Sequence, residues 1–132
     1  MMNKKFRGYI TSRRLKGSLI PQRVQNLVIR DFCQKQKAEF LLSATEYIME
    51  HCYMMLDSLI QKNQTFDGIV FYSLQMLPTN KEARAAFFDR ARINSLELHF
   101  ALEELSIKSA TEIQLIEDII LTETLAAKDV YL

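Results

Sequence analysis

The chain is short of glycine and proline: three and two in 132 residues. That leaves no Pro/Gly/Ser-rich linker, and with no internal repeat or low-complexity segment the sequence is expected to form one domain over residues 1–132. No apolar run approaches the length of a bilayer span, and Met1-Met2-Asn3-Lys4-Lys5 leads into a short strand pattern, not a signal-peptide core. Membrane insertion is therefore not expected, and a cytoplasmic location is. Only two cysteines occur, Cys33 and Cys52; both fall in predicted helices and are expected as reduced, unbonded thiols. No GxGxxG or GxxxxGK[ST] motif is present, which removes the usual dinucleotide and nucleoside-triphosphate signatures. No CxxC or HxxxH spacing accompanies His51-Cys52 and Cys33, so no metal site is expected and no cofactor is indicated. Charge of one sign is also lacking. A net charge of +1 provides no global field to gather a polyanion, and nucleic acid is not expected among the partners. The one local basic patch is Arg7, Arg13, Arg14, Lys16 and Arg23, joined by Lys4 and Lys5.

What is present alternates. Phe6 to Thr11 is apolar, aromatic and β-branched, as a short strand requires. Pro21 marks a helix start, and Val24, Leu27, Val28 and Phe32 recur at helical spacing to an end near Lys37. Phe40 to Ala44 reads as a second buried strand, and the chain turns helical after Glu46 with Met55, Leu56, Leu59 and Ile60 as its apolar face. A turn over Asn63 to Gly68 precedes Ile69-Val70-Phe71-Tyr72, a continuous run suited to a central strand covered on both faces. Pro78 breaks the following loop. Thr79 or Asn80 caps a third helix, Thr79 with Glu82 matching a capping box, and Ala83, Phe87 and Ala91 face inward. Leu96 to Leu102 reads as a fourth strand. Ser109 with Glu112 resembles another capping box, opening a last helix with a stripe of Ile113, Ile116, Ile119 and Ile120. Met49, Met54, Met55 and Met76 are read as core filler. The alternation predicts a single α/β domain with a mostly parallel sheet of about four strands and helices on both faces.

Parallel strands bring their following loops to one edge of the sheet, where helix N-termini favour anions. The polar residues expected there are Ser12, Arg13 and Arg14; Thr45, Glu46 and His51; Ser73 and Gln75; Glu103 and Glu104. Ser12, Arg13, Arg14, Ser73, Gln75 and Glu103 form the candidate ligand-binding set, with arginine supplying planar donors to a phosphate or carboxylate. The plainer reading is a wet, polar loop edge. Ser12 is the candidate nucleophile and His51 the better placed base, since His99 sits inside the fourth strand and reads as a packed histidine. Glu103 and Glu104 read as a solvated pair.

Two resemblances follow from these segments. Gly8-Tyr9-Ile10-Thr11-Ser12, a helix carrying Gln25 and ending in Asp31-Phe32-Cys33, and Asp67-Gly68-Ile69-Val70-Phe71 resemble the catalytic domain of resolvase-type serine recombinases. That resemblance implies that the domain is resolvase-like, the alternative being flavodoxin-like, with a nucleophilic serine at Ser12. The family places an arginine two positions earlier, where this chain has Ile10, and further arginines after the third strand, where it has Ser73-Leu74-Gln75-Met76-Leu77-Pro78. Arg7-Gly8-Tyr9-Ile10 with Ser12-Arg13, Ile20-Pro21 with Leu27 and Arg30-Asp31-Phe32-Cys33, Asp67-Gly68-Ile69 with Ser73 and Leu77-Pro78, and Leu98-His99-Phe100 with Glu103 resemble more closely a family of small bacterial proteins from sporadic carbohydrate-biosynthesis clusters. That resemblance implies a role in surface-glycan synthesis, such as lipopolysaccharide or capsule.

The leading expectation is accordingly a protein of surface-carbohydrate biosynthesis that binds or processes a phosphorylated sugar or nucleotide sugar. Its partners would be an anionic sugar ligand or a pathway protein, and an oligomer is compatible with the pattern. The competing expectations are a non-catalytic interaction module of the same pathway and a degenerate resolvase-like DNA-processing domain.

Overall fold

The structure is a computed structural model and describes residues 3–61 and 64–130. Asn63, where the turn before the third strand was expected to begin, lies outside them, as do Met1 and Met2. Strand β1 (Lys5–Thr11) leads to helix α1 (Gln22–Lys35), β2 (Glu39–Glu46), α2 (Met54–Leu59) and β3 (Gly68–Phe71). A 3-10 turn (Leu74–Met76), α3 (Lys81–Ile93), β4 (Glu97–Phe100), β5 (Leu105–Ile107) and α4 (Ala110–Val130) follow. The five strands form one sheet in the order β2-β1-β3-β4-β5. All neighbours are parallel except β4 and β5. The expected α/β domain with a mostly parallel sheet is thus observed.

The helices divide between the faces. Phe6, Gly8, Val70 and His99 share one face by register, and there α1 packs, with Phe6 and Phe32 against the His99 ring. Tyr9, Phe71 and Phe100 share the other, where Phe71 meets Phe87 of α3 edge-on. Ile69, Val70 and Phe71 are completely buried, as a central strand covered on both sides must be. Gly8 sits where β2 slips its register against β1 between Arg7 and Tyr9. A Cβ there would lie 2.1 Å from Ser43 Oγ, whose hydroxyl donates to Asn26 Oδ1 of α1 (2.6 Å), so the close approach leaves room only for hydrogen.

Several expectations are corrected. Leu96 to Leu102 is not one strand: β4 ends at Phe100, a turn with Glu104 at φ 56° follows, and β5 returns antiparallel. The sheet therefore has five strands. In α1 the buried residues are Gln25, Ile29, Phe32 and Cys33, whereas Val24 and Leu27 are 41% and 56% exposed. The inward stripe lies one position later because Gln25 is drawn under the end of β1. The second helix is six residues long, Tyr47 to Tyr53 being loop, and buries Leu56 and Leu59. Strand β2 is an edge strand and not a buried one, with Leu42 77% exposed. Asn80 caps α3 through Ala83 N, so no Thr79 capping box forms. Ala83 faces out and Arg84 is buried beside it. Glu112 does reach back to Ser109 N (3.0 Å). Met76 is core, but Met49 and Met54 are exposed.

Candidate functional site at the sheet switch point

In this strand order the chain first moves outward from β1 to β2, then crosses back to β3 on the other side of β1. The loops after β1 and β3 consequently diverge to opposite faces and open a crevice at the carboxyl ends of those two strands, the usual ligand position in open α/β sheets. The loop after β1 carries Ser12, Arg13 and Arg14, and the loop after β3 carries Ser73 and Gln75.

The start of the first loop is fixed by Gln25, which is completely buried. Its Oε1 accepts from Thr11 N (3.0 Å) and its Nε2 donates to Thr11 O (2.7 Å) and Ile20 O (2.8 Å). The amide holds both backbone groups of Thr11, the last residue of β1, and closes both ends of the loop onto α1. Within the loop Leu15 and Ser18 exchange backbone hydrogen bonds around Lys16 and Gly17, both at positive φ, a two-residue turn that buries Leu15.

The two arginines behave differently. Arg13 is turned inward: Nη1 donates to Cys52 O (3.2 Å), Nε reaches Thr11 Oγ1 (3.4 Å), and the guanidinium lies 5.0 Å from the Tyr53 ring centroid. It ties the β2–α2 loop to the first loop through Nε and Nη1. Arg14 is exposed and, among the described residues, donates only to Gly17 O (3.2 Å). Both line a cleft of about 290 Å³ with Glu50, His51, Tyr53, Gln75 and Thr79. Arg14 and Gln75 also line a neighbouring cleft of about 300 Å³ that reaches Arg84 and Glu123 of α4.

The structure does not bring all the candidate residues to this crevice with free groups. Ser73 Oγ donates to Glu103 Oε2 (2.7 Å) and accepts from Gln75 N (3.1 Å), while Glu103 Oε1 accepts from Leu74 N (3.1 Å). These two side chains close the β3 loop onto the turn after β4. Glu103 is therefore not a solvated partner of Glu104, which instead faces Lys35 of α1. Ser12 is half-buried and does not line the cleft that His51 lines. His51 is exposed at φ 58°, and no hydrogen bond joins it to Ser12 among the described residues, so the nucleophile–base pair is not assembled here.

Glu46 is a residue whose role the sequence concealed. It is 1% exposed, accepts from Tyr9 Oη (2.7 Å), and receives Met55 N and Leu56 N at the start of α2 (3.0 and 3.1 Å). Burial and this carboxylate raise the Tyr9 phenol above its ordinary range, and the tyrosine stays protonated as a donor. Arg84 forms a second anchor, bidentate to Glu117 of α4 (2.8 and 2.9 Å) and donating to Pro78 O and Thr79 O. Cys33 and Cys52 are free thiols as expected, and burial pushes the Cys33 thiol up to about 11. No group of three or more metal-ligating side chains occurs among the described residues, and no described helix is long and apolar enough to cross a membrane.

Compared with solved structures, the chain is similar to the N-terminal catalytic domain of TP901-1 integrase, with 15% identity, a TM-score of 0.60, and 94% of this chain and 98% of that one covered. It is similar also to a resolvase family site-specific recombinase from Streptococcus pneumoniae, with 10% identity, a TM-score of 0.62, and coverage of 96% and 93%. The fold is resolvase-like. No family model and no curated protein matches the chain.

These neighbours correct two expectations. The resemblance to the carbohydrate-cluster family finds no support, and the expected role in surface-carbohydrate biosynthesis is withdrawn, since the similar solved structures are recombinase and integrase domains. The expectation that nucleic acid is absent from the partners, and that an anionic sugar or pathway protein takes its place, is overturned on the same ground: the similar folds belong to an integrase and to a site-specific recombinase. Net charge describes the whole molecule, whereas a polyanion responds to how charge is arranged on one face.

Proposed function

We propose that this chain is a recombinase-fold DNA-binding domain whose Ser12–Arg14 loop receives a backbone phosphate without carrying out strand transfer. The observation that supports it most is the position of that loop at the switch point of a sheet whose fold is shared with recombinase catalytic domains. Arg14 is the exposed cation of the loop, and it lines the cleft together with Gln75 and Thr79. Ser12 occupies the strand end at which the recombinase resemblance places a nucleophile.

The same geometry argues against transfer. A serine hydroxyl needs an adjacent base or an equivalent activating group, and a phosphoryl group in transfer needs preorganised cations around its oxygens. Here Ile10 replaces an arginine, Arg13 is committed to the Tyr53 loop, and the segment after β3 offers Ser73 and Gln75 in place of cations. The test is incubation of the protein with end-labelled duplex DNA, read on native and denaturing gels. A native complex weakened by Arg14→Ala, with no adduct surviving denaturation, is the expected result. An adduct that disappears with Ser12→Ala would make the domain a strand-transfer enzyme, and the absence of any complex at low salt would reject the reading.

A further inference from the structure

The seventeen lysines and arginines are unevenly placed. Ten of them fall within the first 37 residues, where Asp31 is the only carboxylate. Folding puts this segment into β1, its loop and α1, and α1 is the helix that covers the His99 face of the sheet. Along its outer side Arg23, Asn26, Leu27 and Arg30 recur at helical spacing and line a shallow groove of about 340 Å³. Arg23 and Arg30, both exposed, stand two turns apart, roughly 10 Å along the axis.

Neither arginine belongs to an ion pair among the described residues. Asp31, the one acid on the helix, is taken by Lys35 (3.0 Å). Arg30 is held in place by the Phe40 ring, 5.2 Å from its guanidinium carbon, so one cation of the row is set in position before any partner arrives. Leu27, 56% exposed in the middle of the row, adds apolar surface that no core contact explains. The start of α1 adjoins the end of the Ser12–Arg14 loop, so the row extends the basic character of the switch point down one side of the molecule.

We propose that this outer face of α1, with Arg23 and Arg30 as its contacts, is a docking surface for the phosphate backbone of duplex DNA. The inference rests on the reading above that DNA is the partner, and adds a second contact area on another side of the fold. Charge complementarity selects the occupant: duplex DNA carries one negative charge per ~1.7 Å of its axis, and paired, unneutralised guanidinium groups suit phosphate oxygens. The contact reads no sequence, because phosphates carry none.

The experiment is a fluorescence anisotropy titration of a short labelled duplex over about 50 to 200 mM salt. The proteins are the parent, Arg23→Gln/Arg30→Gln, Arg14→Ala, and Lys81→Gln as a control from the first turn of α3. Each phosphate contact contributes about 0.9 to the slope of log affinity against log salt, so the double variant is expected to lose about 1.8 from that slope and bind more weakly, with Lys81→Gln unchanged. An unchanged slope in the double variant, alongside weakened binding by Arg14→Ala, would overturn the α1 surface and leave the switch-point reading intact. A parent that does not bind the duplex at low salt would overturn both. Poly-glutamate competing as well as DNA, at equal charge, would also overturn the proposal and assign the face to an acidic protein.

Discussion

Gln25 and Thr11 are joined by two hydrogen bonds that pair the glutamine amide with both backbone groups of the last strand residue, at 3.0 and 2.7 Å. A helix side chain thereby stands in for a neighbouring strand at the point where β1 leaves the sheet. Gln25→Met, of similar volume, is expected to leave Thr11 N and O buried without partners. Each such group costs about 1 to 3 kcal/mol, so a loss of about 3 kcal/mol in urea unfolding is predicted. A loss below about 1 kcal/mol would show that other groups hold the loop.

Helices α1 and α3 end alike. Lys37 N and Ala38 N bond back to Gln34 O and Cys33 O, and Ser95 N and Leu96 N to Arg92 O and Ala91 O, the reciprocal pattern that usually carries glycine at its left-handed residue. Here that residue is Lys37 at φ 56° and Ser95 at φ 57°. Left-handed backbone costs a residue with a Cβ about 1 to 2 kcal/mol, offset in part by the greater freedom of glycine in the unfolded chain. Ser95→Gly is expected to raise the thermal midpoint, and Ser95→Val to lower it. Equal midpoints would remove the strain.

His99 is completely buried, with Nδ1 2.6 Å from Ser106 Oγ and Nε2 3.0 Å from Glu97 Oε1. Burial lowers its pKa from 6.5 and outweighs the opposing pull of Glu97. The unfolded chain therefore binds the proton first as pH falls, so this histidine makes stability decline below about pH 6.5 until the lowered native value is passed, and leaves it flat above. Unfolding free energies at pH 7.5 and 5.5 should differ more in the parent than in His99→Gln. An equal pH dependence in the two proteins would contradict the assignment.

Arg84 and Glu117 bridge α3 and α4 with side chains 8% and 16% exposed. Removing one partner of such a pair leaves an uncompensated charge at a cost of about 3 kcal/mol or more. Glu117→Gln is expected to cost less than Arg84→Leu, because the arginine also holds Pro78 O and Thr79 O. Denaturant midpoints in the opposite order would place the weight on the carboxylate.

Strands rich in β-branched and aromatic residues were legible: β1 and β3 fall where Phe6–Thr11 and Ile69–Phe71 said they would. The hairpin of β4 and β5 was hidden, because its turn is closed by Glu104 in a left-handed conformation that glycine or asparagine usually announces. Scarcity of glycine blurred the helix ends at Lys37 and Ser95 for the same reason. The stripe of α1 departs from the hydrophobic pattern because a polar residue, Gln25, takes a core position for its hydrogen bonds, which hydrophobic periodicity counts as outside. At the switch point the sequence located the loops correctly by topology. It could not tell that Ser73 and Glu103 satisfy each other or that Arg13 turns inward, since both facts depend on contacts 30 or more residues apart.

The central claim, that a phosphate backbone meets the Ser12–Arg14 loop, is tested most directly by anisotropy titration of labelled duplex DNA with the parent and Arg14→Ala at low salt. Binding by the parent that falls steeply with salt and is weakened several-fold in Arg14→Ala is predicted, since a free arginine on a phosphate contributes in this way. Equal affinities in the two proteins, or no binding by either, would contradict it.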